Sequence, residues 1–232
     1  MEVYLHRARS EPAGGRDEGG FEKSSGLKGG AVSRERWNER HRERSSKSPL
    51  PPNVHLEKLV AHLEAGTALD LAAGDGRNAL FLSRKGWKVT AVDFSEVGIE
   101  WGRAFAEDEG LSVDWLIRDL NEYVPPCKSF DLVCLFYLHV PGDQLAGVLK
   151  KAAAAVKPGG SLLIVGHDRT NITQGAGGPQ IPDILYTPEE ISALLPGMSV
   201  GYANRESCPA DHGGLPPGTV QIDCVVRATC PL

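Results

Sequence analysis

Two acidic residues stand near the ends of short apolar segments in the stretch LDLAAGDGRNALFLSRKGWKVTAVDFSE. Asp70 lies in the first apolar segment, and Asp93 ends the second. Between them, residues 72–76 form a loop of small residues, AAGDG, which adds a third acid, Asp75. Carboxylates beside such a loop attract a cation and repel a diphosphate. This spacing predicts a site for a ligand that is cationic near the loop.

Alternating apolar and amphipathic segments predict the strands and helices that position these acids. Continuous apolar runs predict buried strands, and apolar residues three and four positions apart predict helices between them. Such alternation is typical of a parallel sheet covered by helices on both faces. Two final strands with no helix between them predict an added antiparallel hairpin. The predicted strands are residues 67–72, 88–94, 112–117, 130–138, 161–167, 198–205 and 219–228.

The chemistry of the loop narrows the choice of ligand. In an open α/β sheet, ligands bind outside the carboxyl ends of the strands, where this loop is expected. A dinucleotide favours a G-x-G-x-x-G loop with little negative charge, whereas here Ala72 replaces the first glycine and Asp70 and Asp75 add charge. Asp93 is placed to accept both hydroxyls of a ribose. S-adenosylmethionine fits, because it carries an ammonium, a sulfonium and a ribose but no phosphate.

The sequence from about residue 33 to 228 resembles the class I S-adenosylmethionine-dependent methyltransferases. The segments that carry the resemblance are LDLAAGDGRNA, VTAVDFS, LIRDLNEY, FDLVCLFYLHVP and KPGG. A W-x-x-R segment before them and a GGPQ…LYTPEE segment after them are similar to the bacterial tellurite-resistance and thiopurine-type branch. The resemblance implies a Rossmann-like, doubly wound α/β sheet of seven strands, mostly parallel with the last strand antiparallel. It also implies S-adenosylmethionine as the cofactor.

The resemblance further implies which residues hold the cofactor. Trp37 would be part of a lid over the cofactor, and Arg40 would meet its carboxylate. The first loop departs from the family pattern, because Ala72 and Ala73 stand where many members have glycine. The remaining implied contacts are Asp70, Ala72, Gly74 and Gly76 beside the methionine moiety, Asp93 and Phe94 at the ribose and adenine, Asp119 and Leu120 at the adenine edge, and Phe136 beneath the sulfonium.

Several of these residues also suit ordinary structural roles. Asp75 either contributes to the cofactor site or caps the following helix. Asp119 either contacts the adenine or caps a turn. Trp37 and Arg40 lie in the charge run RERWNERHRER, which would suit a solvated segment as well as a lid.

Two histidines are the candidates for a chemical role on the substrate side. His139 lies just past the fourth predicted strand, and His167 stands at the end of the fifth. Neighbouring strand ends bring such residues to one edge of the sheet, where Asp168 and Tyr137 are expected as well. The pair is predicted to orient the methyl acceptor or to take its proton. The alternative is that both are hydrogen-bonded scaffolding.

The composition disfavours several classes of protein. The 232 residues carry a net charge of −5, which gives no general attraction to nucleic acid or anionic lipid. No segment approaches the roughly 20 apolar residues of a membrane span, and the N-terminus lacks a secretory signal, so a cytoplasmic protein is expected. Five cysteines, none in a CxxC pair, are expected to be reduced. No metal site is predicted, because metal-ligand spacing is lacking among Cys208, Asp211, His212 and Cys224.

The chain is expected to have three parts. Residues 1–32 are rich in Gly, Ser and mixed charge, which predicts a disordered tail. Residues 33–52 are predicted as an N-terminal lid segment, and residues 53–232 as the class I methyltransferase domain.

The expected function is methyl transfer to a small molecule. A thiol, sulfide or chalcogen acceptor is favoured, because a soft nucleophile needs little help to ionise. The segment LFYLHVP differs from the Asn-Pro-Pro-Tyr type found in enzymes that methylate base amines, so no nucleic acid partner is expected. Two alternatives stay open, an NAD-type oxidoreductase on a similar sheet and a non-catalytic cofactor-binding module. The sequence leaves the oligomeric state undetermined.

Overall fold

The computed structural model describes residues 33–43, 50–210, 215, 216 and 218–232. The predicted tail of residues 1–32 lies outside the described residues, as do residues 44–49 within the predicted lid segment of residues 33–52. Among the described helices, none combines the length and the hydropathy that a membrane span requires.

Seven strands form a single sheet. They are β1 Thr67–Leu71, β2 Lys88–Asp93, β3 Val113–Ile117, β4 Phe130–Phe136, β5 Val156–His167, β6 Ser199–Pro209 and β7 Val220–Thr229. Their order across the sheet is β3-β2-β1-β4-β5-β7-β6. Strands β1 to β5 pair in parallel, whereas β7 runs antiparallel to both β5 and β6. The predicted mostly parallel sheet with an antiparallel last strand is confirmed, as is the closing hairpin.

Helices cover the sheet on both faces. They are α1 Arg34–Glu43, α2 Val54–Val60, α3 Arg77–Arg84, α4 Glu96–Asp108, α5 Gly142–Ala155, α6 Asn171–Gln174 and α7 Pro188–Ala193, with a 3₁₀ turn at Pro182–Ile184. Helix α7 starts with a capping box, in which Thr187 and Glu190 each satisfy the other's backbone N–H. Ser95 caps α4 by accepting a hydrogen bond from the Gly98 N–H.

The core consists of two apolar layers, one on each face of the sheet. Leu69 and Leu71 of β1 belong to the layer that includes α5 and α7. Ala68 of the same strand belongs to the layer that includes α2, α3 and α4. Successive side chains of a strand point to opposite faces, so a strand covered on both faces must be apolar throughout. A buried acid in such a strand, like Asp70, is therefore unfavourable unless a ligand or a neighbouring group stabilises it.

The KPGG segment belongs to β5, although the fifth strand was predicted to begin only at residue 161. Helix α5 ends at Ala155, and residues 157–160 already form the first part of β5. The Gly159 N–H donates to the Cys230 carbonyl at 2.8 Å, close to the end of the chain. A side chain on Gly160 would lie 2.9 Å from the Asp131 carbonyl oxygen. The glycines therefore allow an irregular strand start that pairs with residues distant in sequence.

Candidate cofactor and substrate site

The loop between β1 and α3 has a left-handed backbone at three positions. Ala72, Gly74 and Gly76 have φ angles of 58°, 58° and 79°. This conformation is unfavourable for alanine and costs about 1–3 kcal/mol, so the surrounding structure must impose it. The loop is tied to the neighbouring strand by the Ala73 N–H, which donates to the Val92 carbonyl at 3.1 Å. Backbone held in this way is typical of ligand sites.

Gly76 also has a purely structural reason to be glycine. A side chain at Gly76 would overlap the indole ring of Trp115. Gly76 is the N-cap residue of α3, and Asp75 stands one position before it. The N-cap position itself is therefore not occupied by Asp75, and the role of Asp75 in capping or in cofactor binding stays a prediction.

Asp70 is a buried acid with one unsatisfied oxygen. Its side chain is 1% exposed, and Oδ2 has no hydrogen-bond partner within the described part of the chain. Burial, with a smaller effect from the nearby Asp93 carboxylate, raises the pKa of Asp70 to about 7. A cation placed at Oδ2 would offset both effects. The S-adenosylmethionine ammonium fits this requirement, so the residues present are compatible with the expected cofactor.

Asp93 ends β2 beside the same loop. Its Oδ2 accepts a hydrogen bond from the Gly74 N–H at 2.9 Å, and its Oδ1 accepts one from the Ser95 N–H at 2.7 Å. Burial raises the pKa of Asp93, although these hydrogen bonds oppose the increase. The buried Asp75 carboxylate adds to the rise. Each Asp93 oxygen keeps a second lone pair, so the carboxylate can still accept ribose hydroxyls.

Helix α1 lies against the N-terminal end of α4 through residues that the sequence analysis did not single out. Asn38 is buried, and its Oδ1 accepts a hydrogen bond from the Ser95 hydroxyl at 2.7 Å. The Val97 N–H approaches the same oxygen at 3.4 Å. This contact fixes α1 beside the loop that contains Asp93 and Ser95. The available signal was the helical spacing of Asn38 and His41 within the charge run.

His41 is the α1 residue nearest to the glycine loop. Methyl groups added to Gly74 and Gly98 would lie 3.7 Å and 3.0 Å from atoms of its ring. Trp37 is half-buried, with its ring centroid 6.0 Å from that of His41. Arg40 is exposed and stacks on Trp37, with 5.1 Å between the guanidinium carbon and the ring centroid. The cofactor contacts expected for Trp37 and Arg40 stay predictions.

The residues expected around the adenine lie at the carboxyl ends of the strands. Phe94 is half-buried after β2, and Phe136 is buried at the end of β4. Asp119 makes turn contacts, because its carboxylate accepts a hydrogen bond from the Asn121 N–H at 2.8 Å. Leu120 packs against the edge of the core. A role for these four residues in adenine or sulfonium binding stays a prediction.

The substrate side is organised around Asp223, which the sequence analysis did not single out. This carboxylate on β7 is fully buried, and its Oδ1 lies 3.2 Å from His167 Nδ1. Burial alone would raise the pKa of Asp223, but hydrogen bonds from its neighbours hold it well below the usual range. The partners of Oδ2 are Tyr137 Oη at 2.8 Å, Gln221 Nε2 at 2.9 Å, His55 Nε2 at 3.2 Å and Cys208 Sγ at 3.4 Å.

The two predicted histidines meet, as the neighbouring strand ends required. The rings of His139 and His167 stack with centroids 5.3 Å apart and planes 5° apart. The Tyr137 ring contacts both, with its centroid 4.9 Å from that of His167 and 6.2 Å from that of His139, and Tyr137 has a left-handed φ of 55°. His139 is half-buried, whereas His167 is buried, and a side chain on Gly178 would overlap its ring. His139 is therefore the more accessible of the two.

Asp168 has a structural role instead of joining the histidine pair. Its Oδ1 accepts hydrogen bonds from the Thr170 N–H at 2.8 Å and from the Thr170 hydroxyl at 2.7 Å. Its Oδ2 lies 3.0 Å from Arg205 Nε. Asp223 is instead the carboxylate next to His167. The sequence signal for Asp223 was an acid inside the apolar segment VQIDCVVRA, which becomes a buried strand.

Comparisons with known proteins agree with this geometry. Residues 68–160 match the family described as "Methyltransferase domain". The "Ubiquinone biosynthesis O-methyltransferase" of Coxiella burnetii is 32% identical over 110 residues, which cover 47% of this chain and 46% of the relative. This chain thus spans about half the length of the curated relatives it matches.

Solved structures show the same fold at low sequence identity. One, reported under "Conversion of a Disulfide Bond into a Thioacetal Group during Echinomycin Biosynthesis", has a TM-score of 0.67 and 21% identity, and covers 85% of this chain and 92% of its own. TehB from Haemophilus influenzae has a TM-score of 0.64 and 17% identity, and covers 77% of this chain and 62% of its own. Residues 68–160 thus match the methyltransferase-domain family, and the fold of the chain is the one found in S-adenosylmethionine-dependent methyltransferases.

Proposed function

We propose that this chain transfers the sulfonium methyl group of S-adenosylmethionine to a small-molecule acceptor. The observation that carries the proposal is the pair of buried carboxylates, Asp70 and Asp93, on the adjacent parallel strands β1 and β2. A buried carboxylate is costly unless it is paired with a cation or with hydrogen-bond donors. The cofactor brings an ammonium for Asp70 and ribose hydroxyls for Asp93.

The loop and helix α1 would position the cofactor and exclude water. The left-handed backbone at Ala72 and Gly74 lets the loop approach the methionine moiety closely. His41 and Trp37 would cover the loop from α1, and Arg40 would pair with the methionine carboxylate. Excluding water strengthens every electrostatic contact inside the site.

The transfer itself requires little chemistry from the protein. When bound, S-adenosylmethionine supplies an electrophilic methyl group activated by its sulfonium. An acceptor held by the substrate-side residues would take this methyl group through its lone pair, and the electron pair of the broken carbon–sulfur bond would stay on the sulfur. Alignment of the two reactants contributes up to about 7–11 kcal/mol in favourable cases.

The substrate-side residues would orient the acceptor and receive its proton. His139 and His167 stack beside Tyr137 at the carboxyl ends of β4 and β5. A positioned base contributes about 10² to 10⁴ in rate where the acceptor is not already ionised. Because His139 is half-buried and His167 is covered, His139 is the residue more directly available to the acceptor.

The acceptor we favour is a thiol, a sulfide or a reduced chalcogen. A free thiol has a pKa of about 8.5, so it needs less help from a base to lose its proton than an alcohol does. An oxygen acceptor is the second candidate, since the curated relatives are named as O-methyltransferases. We further propose a cytoplasmic enzyme with no nucleic acid substrate, because the net charge of −5 gives no attraction to phosphates.

A labelled-methyl assay tests this function directly. Binding of S-adenosylmethionine and NAD is measured first, because an oxidoreductase would prefer NAD. Methyl transfer is then measured on thiol, selenol, phenol and amine acceptors and on RNA and DNA. Tight cofactor binding without transfer to any acceptor would favour a non-catalytic module, and transfer to nucleic acid alone would contradict the small-molecule proposal.

Histidine variants test the substrate side separately from the cofactor. Replacing His139 or His167 by Ala should lower kcat at least about tenfold while S-adenosylmethionine affinity stays within about threefold. His62, exposed just past α2, provides a matched control as His62→Ala. Full turnover in the double variant would show that both histidines are scaffolding.

A further inference from the structure

Three buried side chains form a cluster beside the histidine pair, and one of them, Asp223, also lies next to His167. His55 comes from α2, Cys208 from the end of β6 and Asp223 from β7. One ligand atom from each, an imidazole nitrogen, a thiol sulfur and a carboxylate oxygen, lies within 4.8 Å of the other two. We infer that this His-Cys-Asp cluster binds a zinc ion.

Two of the three distances within the His-Cys-Asp cluster match the edges of a tetrahedral zinc site. Zinc binds imidazole nitrogen and carboxylate oxygen at about 2.0–2.2 Å and thiolate sulfur at about 2.3 Å, which separates N from O by about 3.3 Å and S from O by about 3.5 Å. Asp223 Oδ2 lies 3.2 Å from His55 Nε2 and 3.4 Å from Cys208 Sγ. A zinc ion bound between these atoms would replace the two direct contacts.

Neighbouring residues hold the ligands in place, as around established metal sites. Tyr137 Oη and Gln221 Nε2 donate to Asp223 Oδ2 at 2.8 Å and 2.9 Å. The Asn53 side chain accepts a hydrogen bond from the His55 N–H at 3.0 Å and caps α2. The ligand set is therefore preformed by the fold.

The charges and donor types favour zinc over other cations. A carboxylate and a thiolate neutralise a divalent ion, and the imidazole adds no charge, so the buried site becomes neutral once the thiol proton is released. Magnesium and calcium prefer oxygen ligands alone, whereas an imidazole and a thiolate suit zinc.

Three protein ligands leave one tetrahedral position for water or a substrate atom. The cluster lies next to the β6–β7 hairpin, where Pro209 and Val220 are exposed, so the route from solvent is short. If the acceptor is a thiol, its thiolate suits this position. That last statement alone rests on the proposed function.

Cobalt titration of the metal-stripped full-length chain tests the inference. We expect one cobalt ion per chain, a thiolate-to-cobalt charge-transfer band, tetrahedral visible bands and displacement of all of them by zinc. Cys208→Ser should abolish the charge-transfer band, and Cys208→Ser and His55→Gln should each weaken cobalt binding at least about tenfold, because even outer contacts cost 10- to 100-fold. The matched controls, Cys230→Ser and His62→Gln, should leave binding unchanged.

Two results would overturn the inference. If the wild-type chain shows no thiolate-to-cobalt band, the cluster is only a hydrogen-bonded network, whatever the variants do. If cobalt binds but neither His55→Gln nor Cys208→Ser weakens it, the ion occupies another site. Thermal unfolding without metal checks that each variant folds. Binding of S-adenosylhomocysteine, measured in parallel, separates failure of the zinc site from failure of the proposed function.

Discussion

Replacing Asp70 by Asn should stabilise the cofactor-free protein at pH 8 and weaken cofactor binding. Asp70 is buried and lies close enough to Asp93 for their charges to interact. Ionised Asp70 is therefore unfavourable until a cation arrives. The neutral amide removes this penalty, but it also removes the charge that would attract the cofactor ammonium.

The size of the effect follows from the pKa of Asp70. The pKa is about 3.9 in an unfolded chain and is raised to about 7 in the folded protein. The folded state then binds the proton more tightly, so stability falls as pH rises from about 4 to 7 and the full penalty is present above that range. About three pH units at about 1.4 kcal/mol each give an upper limit of about 4 kcal/mol at pH 8, and about 2 kcal/mol at pH 5.5. The advantage of Asp70→Asn should therefore grow by about 2 kcal/mol between these two pH values.

Urea unfolding at pH 5.5 and pH 8 measures the stability, and calorimetric titration with S-adenosylhomocysteine measures the affinity. At pH 8, Asp70→Asn should bind the ligand at least about tenfold more weakly, because a hydrogen bond to a charged group is worth about 1.5–3 kcal/mol. Asp114→Asn, an exposed acid on β3, is the matched control and should change neither quantity. The reasoning is refuted if Asp70→Asn shifts stability equally at both pH values or keeps wild-type affinity.

Three further predictions test other parts of the molecule. Asp93→Ala should remove most of the rise in melting temperature produced by S-adenosylhomocysteine, and an undiminished rise would contradict its assignment to the ribose. Deleting residues 1–30 should leave cofactor affinity intact, whereas deletion through Arg40 should weaken it; equal behaviour would contradict the lid. Gly178→Ala should destabilise the protein by about 1–3 kcal/mol in thermal unfolding and lower turnover, because the new methyl group overlaps the His167 ring at a φ of 69°. Gly197→Ala, with a φ of 84° and open space around it, should show only the backbone cost, and identical losses would exclude the overlap as the cause.

The sequence by itself determined the fold class and singled out the acids and the loop of the candidate cofactor site. Alternating apolar strands and amphipathic helices are local patterns, and the order of elements was enough to predict a parallel sheet with a closing hairpin. Asp70, Gly74 and Asp93 could be found because the loop and both strand ends lie within one short stretch. Their relative positions depend on a single strand-helix-strand unit, which local periodicity describes well.

Only the tertiary structure decided which side chains surround the two histidines at the ends of β4 and β5. His55 and Asp223 are 168 residues apart in sequence, yet their side chains are 3.2 Å apart. Their meeting depends on β7 lying antiparallel beside β5, which brings Asp223 opposite His167. The face of α1 that meets α4, with Asn38 and His41, was likewise decided by packing. Contacts between distant segments produce no periodic pattern in the local sequence. They depend on strand pairing and burial, which involve the whole chain.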